Sequence, residues 1–144
     1  MEGVHECYDN VDMENSRVAT SDQRKYLRYC VQLAGKSNVT HKHGCVIVDR
    51  KTKEIISHGF NYDYKNHVKV NSLHAEMAAI RNANKRCLAR NDCEMYVVRM
   101  RNSRCRNIKE CELKYSKPCE VCAQIIMSRT NIRNIYYSTN HSTV

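Results

Sequence analysis

No run of about 18 apolar residues occurs in the 144-residue sequence, so nothing in it reads as a membrane-spanning helix. The N-terminus lacks the apolar core of a secretory signal. Proline occurs once, at position 118, and no internal repeat or low-complexity segment is present, which excludes repeat architectures. The nine cysteines would suit a disulfide scaffold in a small secreted chain, but the count is odd and no signal precedes them. The expectation is an intracellular, cytoplasmic protein with reduced thiols. Charge of one sign is scarce in one place only. Residues 1–20 carry five acids (Glu2, Glu6, Asp9, Asp12, Glu14) against Arg17, a net of −4, so the remaining residues hold +13 within a total of +9. That excess favours anionic partners, the phosphates of a nucleotide or a nucleic acid, with a merely solubilising surface as the alternative.

The length fits one domain. Residues 1–20 lack hydrophobic periodicity and are expected to be a polar, disordered tail, leaving 21–144 as the folded domain. Ser21 and Asp22 start a helix, after which Tyr26, Leu27, Cys30, Val31, Leu33 and Ala34 recur at helical spacing up to Gly35. Gly44–Asp49 and Glu54–Gly59 read as a β-hairpin across the polar turn 50–53. A polar connector, 62–72, leads to a second helix that starts at His74, with Asn71 or Ser72 as its cap. Ala75, Ala78, Ala79 and Ala83 form its small-residue stripe, widened by Met77 and Ile80. Glu94–Met100 has the β-branched and aromatic content of a strand, and a basic loop, 101–117, follows it. Pro118 pre-sets a third helix whose apolar face continues through Val121, Ile125 and Ile126, and Ile132–Ser138 is the last strand. The order α-β-β-α-β-α-β predicts an α/β fold in three layers, α/β/α, with parallel crossovers.

Two short stretches carry the chemistry, His74-Ala75-Glu76 and Pro118-Cys119-Glu120-Val121-Cys122. A histidine and two cysteines are the donor types Zn²⁺ prefers, and three protein ligands leave a fourth position for water, as in catalytic sites. Zinc lowers the pKa of its water from ~15.7 towards about 7, and a proton carrier must accompany it. Glu76 is the candidate. Placing Cys119 and Cys122 at a helix N-terminus, where amide N–H groups are unpaired, should help to keep them as thiolates. A structural zinc knuckle, or buried histidine and cysteines without metal, is the competing interpretation.

The pairing of H-x-E with P-C-x-x-C resembles the cytidine and deoxycytidylate deaminase superfamily. Gly59-Phe60-Asn61 ahead of the H-x-E and Cys122-Ala123-Gln124-Ile125-Ile126 at the P-C-x-x-C are most similar to deoxycytidylate deaminases, and the likeness spans roughly residues 40–138. It implies a cytidine-deaminase-like sandwich in which His74, Cys119 and Cys122 hold Zn²⁺. Glu76 would move protons as water attacks the ring carbon bearing the amine. The Ala75 backbone N–H would donate to the substrate ring or carbonyl, and Asn61 would bind a sugar hydroxyl. The family carries a fifth strand after a further helix. Only six residues follow Ser138, so that strand is expected to be missing, and the open edge predicts a homo-oligomer.

His74 stands where free-cytidine deaminases generally have a cysteine, which points to nucleotide, tRNA, purine or polynucleotide substrates. The expected activity is hydrolytic deamination of a cytosine mononucleotide of dCMP/CMP type. Tyr62 replaces a usual glycine and no effector-binding insertion is evident, so triphosphate control is not expected. The runner-up is an editor of bases in RNA or single-stranded DNA, its backbone followed by the basic loop 101–117. A non-catalytic zinc-stabilised binding module is the third reading, and an intact Glu76 argues against it. His41 and His43, just before the first strand, could approach a sugar or phosphate, but exposed histidines in a polar turn are the commoner explanation, and His58 and His67 are read as structural or solvent-facing. Cys87, Cys93, Cys105 and Cys111 match no standard zinc spacing.

Overall fold

The computed structural model of the chain describes residues 8–10, 20–63, 73–100 and 113–138. In chain order the elements are β1 (Tyr8–Asn10), α1 (Ser21–Ala34), β2 (Lys42–Asp49), β3 (Ile55–Phe60) and α2 (Ala75–Asn82), followed by α3 (Lys85–Arg90), β4 (Cys93–Met100), β5 (Leu113–Lys114), α4 (Glu120–Arg129) and β6 (Ile132–Tyr137). The sheet runs β1-β6-β4-β2-β3, with β5 paired to the end of β4 outside this path. β2 is antiparallel to both β3 and β4, while β4, β6 and β1 are mutually parallel neighbours. The result is a mixed sheet, five strands along its main path with the short β5 beside them, flanked by helices.

Alternation along the strands sends side chains to two cores. Val46, Val48, Tyr96 and Val98 meet α1 through Tyr26, Leu27, Cys30 and Val31. On the opposite face, Cys45, Ile47, Met95, Val97 and Ile135 meet Ala75 and Ala79 of α2, Leu88 of α3 and Ile126 of α4. Two glycines set how closely the helices approach. A Cβ on Gly44 would collide with Cys30 O and lie 2.8 Å from Ala34 N, and one on Gly59 would lie 2.5 Å from Ala79 N. Helix backbone therefore rests directly on strand backbone at both places.

The structure differs from the sequence expectation in several elements. The sheet edge expected to be open beside β6 carries β1, which pairs Tyr8 with Ile135 and Asn10 with Tyr137. The fifth position is thus filled from the N-terminal side, by three residues too few and too polar to give a periodic signal. The rest of the tail lies outside the described residues, apart from Thr20, which caps α1 in a reciprocal box with Gln23. Asn71 and Ser72 lie outside the described residues, and α2 begins with His74 itself as N-cap, without a side-chain cap bond. Ala83 is the C-cap of α2 and is buried in the same core as Ala75 and Ala79. Asn84 then opens the unforeseen α3, its side chain accepting from the Arg86 N–H at 2.9 Å. In α4 the buried residues are Cys122, Ala123 and Ile126, whereas Val121 is 66% exposed. One residue is about 100° of helix, enough to turn Val121 to solvent once Cys122 faces inward. Among the described residues no helix is long and apolar enough to cross a membrane.

Candidate metal centre and its cleft

Two helix N-termini meet on the face of the sheet opposite α1. An isolated bridge between Tyr62 and Leu73 brings the chain to His74, the N-cap of α2. The absence of a side chain at Gly59 lets the first turn of α2 settle on β3, which buries Ala75 and Glu76. Pro118 precedes the N-cap of α4 rather than standing inside its first turn, and the cap is Cys119, whose sulfur accepts from the Cys122 N–H at 3.5 Å. A thiol thus occupies the place usually held by a capping hydroxyl or carboxylate.

The His74 Nδ1 lies 3.1 Å from Cys122 Sγ and 3.7 Å from Cys119 Sγ. All three donor atoms fall within 4.8 Å of one another. Ligand bonds of about 2.0 Å to nitrogen and 2.3 Å to sulfur at a tetrahedral angle would put nitrogen and sulfur about 3.5 Å apart. The two distances bracket that value, so the three donors fit one zinc ion. Among the described residues no other group of three histidines, cysteines or carboxylates has this geometry. Cys93 is buried with its thiol on Asn91 O, and Cys87 is half-buried. Cys105 and Cys111 lie outside the described residues, as do His67 and most of the basic loop.

The electrostatics point the same way. Burial, then the neighbouring Glu76 and Cys119, push the Cys122 thiol far above its ordinary range. Burial likewise raises Glu76, against the opposing pull of its own backbone N–H, His74 and Cys122. The expectation that a helix N-terminus keeps these thiols ionised is therefore outweighed at Cys122 by loss of solvent. A divalent cation reverses that balance, because it is the strongest local charge and favours both the thiolate and the carboxylate.

A cavity of about 420 Å³ opens in front of these groups, lined among others by His41, His43, Asn61, His74, Glu76 and Ser116. Ala75 and Lys117 also line it, and Ala75, in the first turn of α2, has an N–H for which the helix itself supplies no partner. Asn61 is 7% exposed. Its Oδ1 accepts from the His43 N–H at 2.9 Å and its Nδ2 donates to His41 O at 2.6 Å, so the side chain braces the 41–43 segment as well as facing the cavity. His58, by contrast, is exposed and packs edge-on against Tyr29.

His41 and His43 belong to this wall, although a polar turn is the commoner reading of their sequence context. The available signal was their H-x-H spacing at the start of a strand, which puts alternate side chains on one face. Burial holds His43 down at about 4, helped by the positive Arg99 and opposed by its bond to His41 O, so its ring is neutral at physiological pH.

Residues 20–139 match the model of the cytidine and deoxycytidylate deaminase zinc-binding region. The chain belongs to this family. It is accordingly a zinc-dependent deaminase, a hydrolase, with His74, Cys119 and Cys122 as the cluster consistent with the metal. Among solved structures it is similar to the dCMP deaminase of the cyanophage S-TIM5 in apo form, at 20% identity over 82% of this chain and 84% of that one, with a TM-score of 0.57. The same phage enzyme in complex with dCMP and dUMP gives 18% identity over 85% of each chain and a TM-score of 0.60. A cytidine deaminase from Burkholderia pseudomallei gives 15% identity over 78% of this chain and 79% of that one, with a TM-score of 0.54. At such identities the likeness is one of fold. No curated protein matches the deaminase chain in sequence.

Proposed function

We propose that this deaminase acts on a cytosine mononucleotide of dCMP/CMP type, consuming water and releasing ammonia. The observation that carries the reading is Glu76, a carboxyl group 5% exposed, beside Cys122 and on the wall of the cavity. A closed structural metal site has no use for a buried carboxyl that does not ligate, and burying one is costly. Zinc held by His74, Cys119 and Cys122 supplies the acidified water that the reaction needs. Glu76 would take one proton from that water and pass it to the ring nitrogen as the oxygen bonds to the ring carbon. It would then take the remaining proton of the added hydroxyl and deliver it to the amine, so that the C=O bond forms as the C–N bond breaks and ammonia leaves. One carboxyl serves both steps because they follow one another. The Ala75 N–H, at the positive end of α2, donates to the substrate ring or its carbonyl. Asn61 holds a sugar hydroxyl with the capacity that its bonds to the 41–43 segment leave over.

The substrate class is supported by a formal charge of +9, by the cavity volume, and by the dCMP and dUMP found in complex with the phage enzyme. Ammonia release against cytosine, adenine and guanine nucleosides, nucleotides and short oligonucleotides tests it. Turnover of CMP or dCMP well above that of the nucleosides is expected. Activity confined to oligonucleotides would replace the reading with that of a polynucleotide editor, and activity towards none, at full zinc occupancy, would leave a binding module.

A further inference from the structure

On the zinc-bearing face, three strand-end residues stand in a row across β3, β2 and β4. The Asn61 N–H bonds to His43 O at 3.3 Å, and His43 is paired in register with Arg99. His41 ties the row together. Its carbonyl accepts from Asn61 Nδ2 at 2.6 Å and lies 3.0 Å from His43 Nδ1, and its own Nδ1 lies 2.7 Å from Arg99 Nη2. A carbonyl can only accept and a guanidinium can only donate. His41 Nδ1 is therefore the acceptor, and the proton of that ring sits on Nε2.

Two further facts concern Arg99. Among the described residues its Nε is buried without a hydrogen-bond partner, and no carboxylate forms an ion pair with it. A fixed cation with a spare buried donor thus stands one hydrogen bond behind a residue of the cavity wall. His41 lines that cavity, and with Nδ1 engaged the only polar atom its ring can offer a ligand is the Nε2–H donor. A donor polarised from behind by a guanidinium suits an anionic oxygen better than a neutral hydroxyl.

We propose that His41, held and polarised by Arg99, contacts a 5′-phosphate oxygen of the substrate, and that this pair sets the preference for nucleotide over nucleoside. The inference rests on the mononucleotide reading and deepens it. His41 is the contact. Arg99 acts through it as a positioning residue.

The test uses zinc-loaded full-length protein, with zinc content measured in every variant: His41→Ala, Arg99→Met and the double change, with His41→Gln and Arg99→Lys as conservative partners. The readout is kcat/KM for CMP and dCMP, divided by that for cytidine and deoxycytidine, with an oligonucleotide as a third substrate. Each single change is expected to lower the nucleotide-to-nucleoside ratio about 10- to 100-fold, mainly through KM, the range expected of one charge-assisted hydrogen bond. The double change should cost little more than the worse single one, because both remove the same contact. His41→Gln keeps an N–H where Nε2 stood and should retain part of the ratio, as should Arg99→Lys. Equal losses on nucleotide and nucleoside, or fully additive losses in the double change, would mean a structural role and overturn the proposal. So would a loss seen for the oligonucleotide alone. A wild-type protein with no preference for nucleotides defeats the mononucleotide reading itself, whereas a preference that survives in every zinc-loaded variant defeats only the assignment to His41 and Arg99.

Discussion

Burial and charge pull Glu76 in opposite directions, and zinc decides between them. Its carboxyl titrates above the ordinary range because it is buried, so in the absence of a cation it keeps its proton to higher pH than a free carboxyl does. Glu76→Gln should leave zinc in place and lower kcat about 10²- to 10⁴-fold, which metal analysis and ammonia assay on one sample would check. In zinc-stripped protein the same change acts on stability with a definite sign. The folded carboxyl binds its proton more tightly than the unfolded one, so the wild-type penalty is absent below the ordinary carboxylate range, grows as pH rises through it, and is complete once the folded group has ionised. The glutamine variant is expected to be the more stable protein at pH 7 and to match wild type near pH ~3.5. Urea melts at the two pH values read this directly, and no gain at pH 7 would count against a desolvated carboxyl.

His43 runs the other way. Its imidazole is held at about 4 by burial and by Arg99, against an unfolded value of about 6.5. The stability tied to its neutral form is fully present above pH ~6.5 and is lost as pH falls through about 4, by on the order of 2–3 kcal/mol for a half-buried ring. Comparing zinc-stripped wild type with His43→Gln between pH 7 and 4 should show that acid slope in wild type and its loss in the variant. Identical slopes would assign the acid sensitivity to other groups.

At the scale of elements, the site depends on how closely α2 approaches β3. A side chain on Gly59 meets α2 backbone at Ala79 N and at Ala75 O, 2.9 Å away, one residue from His74 and one from Glu76. Gly44 meets α1 backbone on the opposite face. Both alanine substitutions are expected to cost about 1–3 kcal/mol or more through overpacking, a fall in Tm of roughly 3–10 °C. Only Gly59→Ala should also weaken zinc binding, because it displaces the helix that carries a ligand. Thermal melts with a chelator competition separate the two, and equal zinc affinity in both variants would argue that α2 yields without moving His74. Legibility in the sequence followed the same physics. All six periodic positions of α1 are buried, because one amphipathic helix on a sheet leaves a regular trace. The hairpin and the motif-bearing helix starts were equally plain. β1 left no trace because a three-residue strand pairs through its backbone. α3 hid behind Ala83, which continued an alanine spacing that the chain abandons at Asn84. The metal donors were readable from residue type and spacing, whereas the wall formed by His41, His43 and Asn61, with Arg99 behind it, exists only once β2, β3 and β4 are in register.

For the whole molecule, the decisive quantity is how a basic surface is used. The chain carries 24 lysines and arginines against 15 acids, which draws any phosphate towards it. A mononucleotide brings at most two charges into a cavity, while a polynucleotide releases counterions at every contacted phosphate. The dependence of kcat/KM on salt therefore distinguishes them by slope, at roughly 0.7 per single-strand phosphate contact on a double-logarithmic plot. For CMP or dCMP the slope is expected to stay shallow, equivalent to about one or two contacts between 50 and 200 mM salt. Oligonucleotides should be bound weakly and deaminated poorly across the same range. A steep slope for an oligonucleotide, accompanied by faster deamination of it than of the mononucleotide, would mean that the positive surface follows a strand and that the cavity admits a base turned out of one.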